Sequence, residues 1–162
     1  MLFILTKYSN SMKVKKDFED DHIIEQMKMR EIIEQIETGE LDLDLLDELE
    51  NHLKNHMFQE EEYIFPAMAK MQNLRLEIAG FQTEHAALWK LFSMLHADLG
   101  NGKFDKVEKY ANEIYKILRE HNSREEIFIY KLMDDKAIKE MEKERPAGWV
   151  CKKMRDKNFL KR

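Results

Sequence analysis

The chain has 162 residues, one ordinary domain's worth, of which 43% are hydrophobic and 36% charged, with only 5 glycines and 2 prolines. That balance excludes collagen-like and low-complexity chains and suits a helix-rich globule. The net charge of −5 is divided between a basic tail, Lys152–Arg162, and an acidic body that would repel phosphate, so no nucleic-acid partner is expected.

In chain order, the first apolar run, Met1–Leu5, is far short of the ~20 residues of a membrane-spanning helix. No secretory leader is legible, and the expected setting is cytoplasmic. A first helical segment runs from about Ser11 to Thr38 and stops at Gly39, with Phe18, Ile23, Met27, Ile32 and Ile36 as its apolar stripe. A second runs from about Asp42 to Gln72, with Leu45, Leu49, Leu53, Phe58, Ile64 and Met68 inward. Asp42 or Asp44 can cap its start, and Pro66 should kink the helix or end it early. A third runs from about Leu74 to Leu99 and ends at Gly100-Asn101-Gly102. A fourth runs from about Phe104 to Met133, with Val107, Tyr110, Ile114, Ile117 and Leu118 inward.

Connections of a few residues force sequential helices antiparallel, so the expected fold is all-α, an up-down-up-down four-helix bundle. A short helix at Lys136–Glu144 should follow. Trp149 and Val150 should tack the tail back onto the bundle, beyond which a solvated basic end is expected. Residues 1–11 then form an N-terminal extension, 12–134 the bundle and 135–162 a helical and basic tail. Cys151 is the one cysteine, which leaves no intramolecular disulfide and no multi-cysteine metal site; an inert role is expected for it over that of a redox thiol.

The two halves of the bundle repeat. Phe18-x-x-x-His22 returns 63 residues later as Phe81-x-x-x-His85, and His56-x-x-x-Glu60-Glu61 returns 65 residues later as His121-x-x-x-Glu125-Glu126. Apolar positions keep the second offset: Leu49 with Ile114, Leu53 with Leu118, Ile64 with Ile129, Phe65 with Tyr130, Met68 with Met133. Core periodicity explains repeated leucines but gives no reason to repeat a histidine with a glutamate one turn on. That spacing puts both side chains on one helix face, so His22, His56, Glu60, His85, His121 and Glu125 can project inward at one level. Imidazoles and carboxylates buried there need partners. Two divalent ions, each taking two imidazoles with both carboxylates between them, would supply these. The donor mix suits iron, manganese or zinc.

Other readings of the same residues are weaker. A ferritin-like site needs two Glu-x-x-His motifs, whereas only Glu19-x-x-His22 occurs and Gln82 stands before His85. The zincin motif fails because Leu53 follows His52. His52 and His96 are expected as satisfied core histidines, His52 within reach of His56 and His96 roughly 16 Å along the axis from His85 at 1.5 Å per residue. Asp21 and Glu84, which precede the lone histidines, are candidates to relay protons or attract iron.

Asp21-His22, the segment His56-Met57-Phe58-Gln59-Glu60-Glu61-Glu62-Tyr63-Ile64-Phe65-Pro66, Glu84-His85 and His121-Asn122-Ser123-Arg124-Glu125-Glu126 together resemble the hemerythrin-like family, the HHE cation-binding domain. The resemblance covers roughly Met12 to Asp134. It implies a hemerythrin-like four-helix bundle with a non-haem di-iron centre, oxo- or hydroxo-bridged, in which His22 and His56 bind one iron, His85 and His121 the other, and Glu60 and Glu125 bridge. Oxygen-carrying members have a further histidine four residues after the third-helix one, where Trp89 stands here, and an aspartate on the last helix, where this chain has Glu125. The pattern is therefore more similar to the four-histidine, two-glutamate site of the repair-of-iron-centres proteins. This implies binding or reduction of nitric oxide, oxygen or peroxide in oxidative or nitrosative stress or iron homeostasis. Three alternatives remain: a reversible oxygen carrier or sensor, iron handling through Glu61, Glu84 and Glu126, and a metal-free helical interaction protein.

Overall fold

The computed structural model describes residues 2–133 and 144–156. Its helices are α1 (Leu2–Thr38), α2 (Leu43–Gln59), α3 (Phe65–Met68), α4 (Arg75–Gly100), α5 (Phe104–Phe128) and α6 (Lys152–Arg155). No strand occurs among the described residues. α1 packs against α2 and α5, and α4 packs against α5, while Lys54 of α2 lies over the Trp89 ring of α4 at 4.5 Å. The arrangement is the expected antiparallel four-helix bundle, with α1, α2, α4 and α5 as its long members.

The two hairpins stop their first helices in the same way. Gly39 at φ +77° and Gly102 at φ +68° adopt the left-handed conformation that a side chain would penalise. Each is followed by a residue whose N–H returns to the last turn, Glu40 to the Gln35 carbonyl and Lys103 to the Asp98 carbonyl, both at 2.9 Å. This is the Schellman closure of a helix end, repeated at the 63-residue offset. The next helix then starts at once: Asp42 caps α2 by accepting from the N–H groups of Asp44 and Leu45. α1 begins at Leu2, not near Ser11. Neither Gly nor Pro interrupts its sequence, and the cap-type residues Ser9-Asn10-Ser11 are carried inside the helix.

The expected second helix is interrupted. Between α2 and α3, Glu60–Ile64 form a π-helical turn, closed by the Phe65 N–H on the Glu60 carbonyl. The wider turn takes in one extra residue just before Pro66, which has no N–H to give and whose ring would crowd an α-helical carbonyl four residues back. Helix resumes for one turn and ends at Met68.

Two apolar clusters fill the bundle. One gathers Met29, Ile32, Leu46, Leu49, Leu53, Leu88, Phe92, Ile114 and Leu118 with their neighbours. The other gathers Phe18, Ile64, Phe65, Ile78, Phe81, Ile129 and Tyr130 with theirs. On every long helix a polar residue separates the two. All five repeat-related apolar pairs are buried on both sides. The α1 stripe differs from expectation: Ile23 and Met27 are 57% and 65% exposed. The buried face instead runs Phe18, His22, Glu25, Met29, Ile32, at three- and four-residue steps, and two of its five members are polar.

Of the segment expected as a helix at Lys136–Glu144, all but Glu144, which is not helical, lies outside the described residues, as does the tail after Asp156. Trp149 does tack the tail down: its ring meets Phe58 and Trp89 edge-on or tilted at 5.5 and 5.9 Å, and its Nε1–H donates to Glu62 at 2.8 Å. Arg155 of the basic tail also binds Glu62, at 2.9 Å, so this residue is not simply solvated. Leu49 lies in the cluster away from Phe18, fully buried. Leu49→Ala is expected to lower stability by about 2–5 kcal/mol in urea unfolding, with bound metal per chain unchanged.

Candidate metal centre

The polar layer between the clusters draws on every long helix: His22 and Glu25 from α1, His56 from α2, Glu60 from the π turn, His85 from α4, and His121, Asn122 and Glu125 from α5. None is more than 6% exposed. They surround a cavity of about 10 Å³. All six residues predicted from the repeat converge there.

The inner faces of the imidazoles point at two carboxylates. His56 Nε2 lies 3.2 Å from Glu60 Oε1, and His85 Nε2 lies 3.3 Å from the other oxygen, Oε2. Glu60 therefore spans the two halves of the bundle. Glu125 Oε2 lies 3.2 Å from His121 Nε2 and 3.6 Å from His22 Nε2. Two donor groups result, His22, His56, Glu60 and Glu125, and Glu60, His85, His121 and Glu125. In each, the ligand atoms lie within 4.8 Å of one another.

The outer faces are held by a second ring of acids. His22 Nδ1 meets Glu126 at 3.0 Å, His85 Nδ1 meets Glu61 at 2.9 Å and His121 Nδ1 meets Glu84 at 2.8 Å. His56 Nδ1 faces Glu25 Oε1 at 3.2 Å. A carboxylate at Nδ1 fixes the proton on that nitrogen and leaves the Nε2 lone pair facing inward, as in carboxylate–histidine–metal triads. Glu61, Glu84 and Glu126 are thus engaged as imidazole partners, and Glu84 serves His121 rather than its sequence neighbour His85. Arg124 secures Glu84 in turn and reaches Glu77 at 3.0 Å. The Lys152 backbone N–H holds Glu61 at 2.6 Å, which ties the tail to the centre.

Burial opposes charge on these imidazoles, but the acids outweigh it. Glu60 and Glu25 hold His56 well above its ordinary pKa of 6.5. Glu60 and Glu61 raise His85, and Glu125 with Glu84 raises His121 to about 10. Burial likewise opposes ionisation of Glu60 and Glu25, and His56 overcomes it and lowers both. His56, His85 and His121 are therefore held toward the imidazolium form by the acids around them.

Three residues of the layer escaped sequence reasoning: Glu25, Asn122 and Tyr130. Asn122 donates to Glu25 Oε2 at 3.2 Å. The Tyr130 hydroxyl lies 2.9 Å from His56 Nε2 and 3.1 Å from His22 Nε2, and donates to Glu60 Oε1. Burial, then Glu60 and Glu125, push its phenol well above the ordinary 10, so it is a neutral donor in the metal-free layer. The repeat contained the signal. At the same offsets the other half has Leu88, Met57 and Phe65, so these are the places where the copies exchange polar for apolar.

The remaining candidates lie outside the layer. His52 and His96 are not core residues: their side chains are 31% and 34% exposed. His52 faces Asp21 at 3.6 Å and Glu25 at 3.7 Å, and His96 binds Glu50 at 2.9 Å. Glu50 thus satisfies His96 at the surface, whereas His52 Nε2 has no hydrogen-bond partner. Asp21 stands 3.9 Å from His56 Nδ1, farther than Glu25. Cys151 is fully buried, and burial pushes its thiol up to about 12, which suits an inert role.

The donor set fits a cation. Glu60 Oε2 and both oxygens of Glu125 are buried without a hydrogen-bond partner, and leaving such atoms unsatisfied is costly. Mixed imidazole and carboxylate ligands favour iron, manganese or zinc over calcium. Among known families, residues 17–132 match the Hemerythrin HHE cation binding domain. No curated protein and no solved structure matches.

Loading must displace protons from the imidazoles, so affinity for ferrous ion is expected to rise with pH across neutrality, with proton release measurable by calorimetry in buffers of different ionisation enthalpy. In the metal-free protein the sign is opposite. His121 stabilises the fold fully below about pH 6.5, and that contribution is lost as pH rises through about 10. His22→Ala and His121→Ala should each lower metal content by elemental analysis, whereas His96→Ala should leave it unchanged.

Proposed function

The chain belongs to the hemerythrin HHE cation-binding domain family, and from that premise we propose that it is a cytoplasmic non-haem di-iron protein that binds or reduces nitric oxide, oxygen or peroxide. Its setting is oxidative or nitrosative stress or iron homeostasis. The observation that carries this reading is that two donor groups share Glu60 and Glu125. His22 and His56 would hold one ion, His85 and His121 the other, and the shared glutamates would lie between them. Such a pair of irons supplies redox equivalents and open positions for a small ligand.

The protein's own residues do the rest. Outer carboxylates fix the proton at Nδ1 of His22, His85 and His121, so their Nε2 atoms are presented inward. The apolar clusters on either side keep bulk water from the layer and strengthen the electrostatics within it. The four-histidine, two-glutamate pattern favours the kinship with repair-of-iron-centres proteins over the oxygen carriers. Trp89, at the position of the carriers' extra histidine, gives a cation–π contact to Lys54 instead of a ligand.

Purified protein loaded with ferrous ion under anaerobic conditions is expected to hold about two irons per chain, and near-zero retention overturns the proposal. Stopped-flow mixing of the reduced protein with nitric oxide or oxygen should show consumption of several equivalents. A spectrum that returns completely on degassing would instead establish reversible carriage.

A further inference from the structure

The two halves of the centre are not equal, and one difference lies at a repeat-related position outside the six-residue donor set. Tyr130 and Phe65 occupy the same place in the two copies. The Tyr130 ring stacks on His22 at 5.3 Å and 25°, and the Phe65 ring stacks on His85 at 5.7 Å and 17°. Phe18 and Phe81 complete the match, edge-on to His56 and His121 at 4.8 and 5.3 Å. The aromatic frame is therefore common to both halves, and what differs is one oxygen atom.

That oxygen sits among donors. Atoms bound side by side to one ion at about 2.0–2.1 Å stand about 3 Å apart in octahedral geometry. The imidazole and carboxylate atoms of the other half keep this spacing: His85 Nε2 to His121 Nε2 is 3.2 Å and to Glu60 Oε2 is 3.3 Å. The Tyr130 hydroxyl keeps it too, at 3.1 Å from His22 Nε2 and 2.9 Å from His56 Nε2, and it also contacts Glu60 Oε1. It therefore stands where a further ligand of the His22–His56 ion belongs. Phenolate oxygen is an established ligand of ferric iron.

We propose that Tyr130 is a seventh protein donor of the centre, its oxygen binding the ion held by His22 and His56, while Phe65 leaves the equivalent position on the His85–His121 side free for an exogenous ligand. This rests on the metal-centre reading above. On coordination the phenol O–H bond breaks, an oxygen–metal bond forms and the proton leaves to solvent with those of the imidazoles; no electron moves in this step.

The test uses the full chain, loaded with ferrous ion and oxidised by ferricyanide. The wild-type protein should show intense visible absorption from phenolate-to-ferric charge transfer, with tyrosine ring modes enhanced in resonance Raman at that wavelength. Tyr130→Phe, which keeps the ring and its stacking, should lose the band and the ring modes per iron bound. Iron-replete wild-type protein without these features overturns the proposal and leaves the metal-centre reading standing. So does Tyr130→Phe protein that keeps them, because another tyrosine would then be the source. The wild-type Raman spectrum decides the matter by itself if the variant fails to fold. Failure of the wild-type chain to retain iron would overturn the metal-centre reading and this proposal together.

Discussion

A ring of imidazoles and carboxylates buried in the middle of a helical bundle is the constraint from which the rest of the structure follows. Ionised groups removed from water are strongly destabilising unless every charge has a partner. Here each of the four histidines lies between an inner acid, Glu60 or Glu125, and an outer one, Glu126, Glu25, Glu61 or Glu84. Glu60 Oε2 and both oxygens of Glu125 nevertheless lack a hydrogen-bond partner, and they belong to the groups that could hold a metal ion.

Holding that ring at one level requires four helices in register, and the paired hairpins provide it. Identical glycine closures at Gly39 and Gly102 set where each hairpin turns. The apolar clusters on both sides of the layer then fix the axial position of every histidine, since a shift by one turn would bring Phe18 or Phe81 to the level of His22 or His85. The π turn makes a local adjustment. By widening the helix at Glu60–Ile64 it allows two consecutive acids to be buried, Glu60 toward the centre and Glu61 toward His85 and the tail. In α5, without such a turn, Glu126 remains 40% exposed.

The bundle and the six repeated donors could be read in the sequence because both are periodic. Short turns with Gly or a capping Asp mark the helix ends, and a histidine followed by a glutamate one turn later has no packing explanation. The α1 stripe was misread for a related reason. A search for apolar residues picks Ile23 and Met27, whereas the buried face is completed by His22 and Glu25. The π turn has only Pro66 as its herald, and a proline predicts a disturbance without saying which one. The outer acids depend on contacts between helices: Glu84 adjoins His85 in the chain but serves His121 across the bundle, a choice set by helix rotation, which sequence spacing does not report.

What distinguishes the halves is found where the copies disagree. Glu25, Asn122 and Tyr130 replace Leu88, Met57 and Phe65, and all three surround the His22–His56 position. Mutually independent drift would scatter polar gains over both halves. Here Asn122 exists to bind Glu25, Glu25 faces His56, and Tyr130 meets His22, His56 and Glu60. In the proposed centre these additions would bring anionic groups or their hydrogen-bond partners to the ion held by His22 and His56, so that half would favour the higher cation charge. The opposite half keeps Leu88, Phe65 and Phe81 beside His85 and His121. Under the same proposal that apolar wall would suit a neutral diatomic ligand of the second ion.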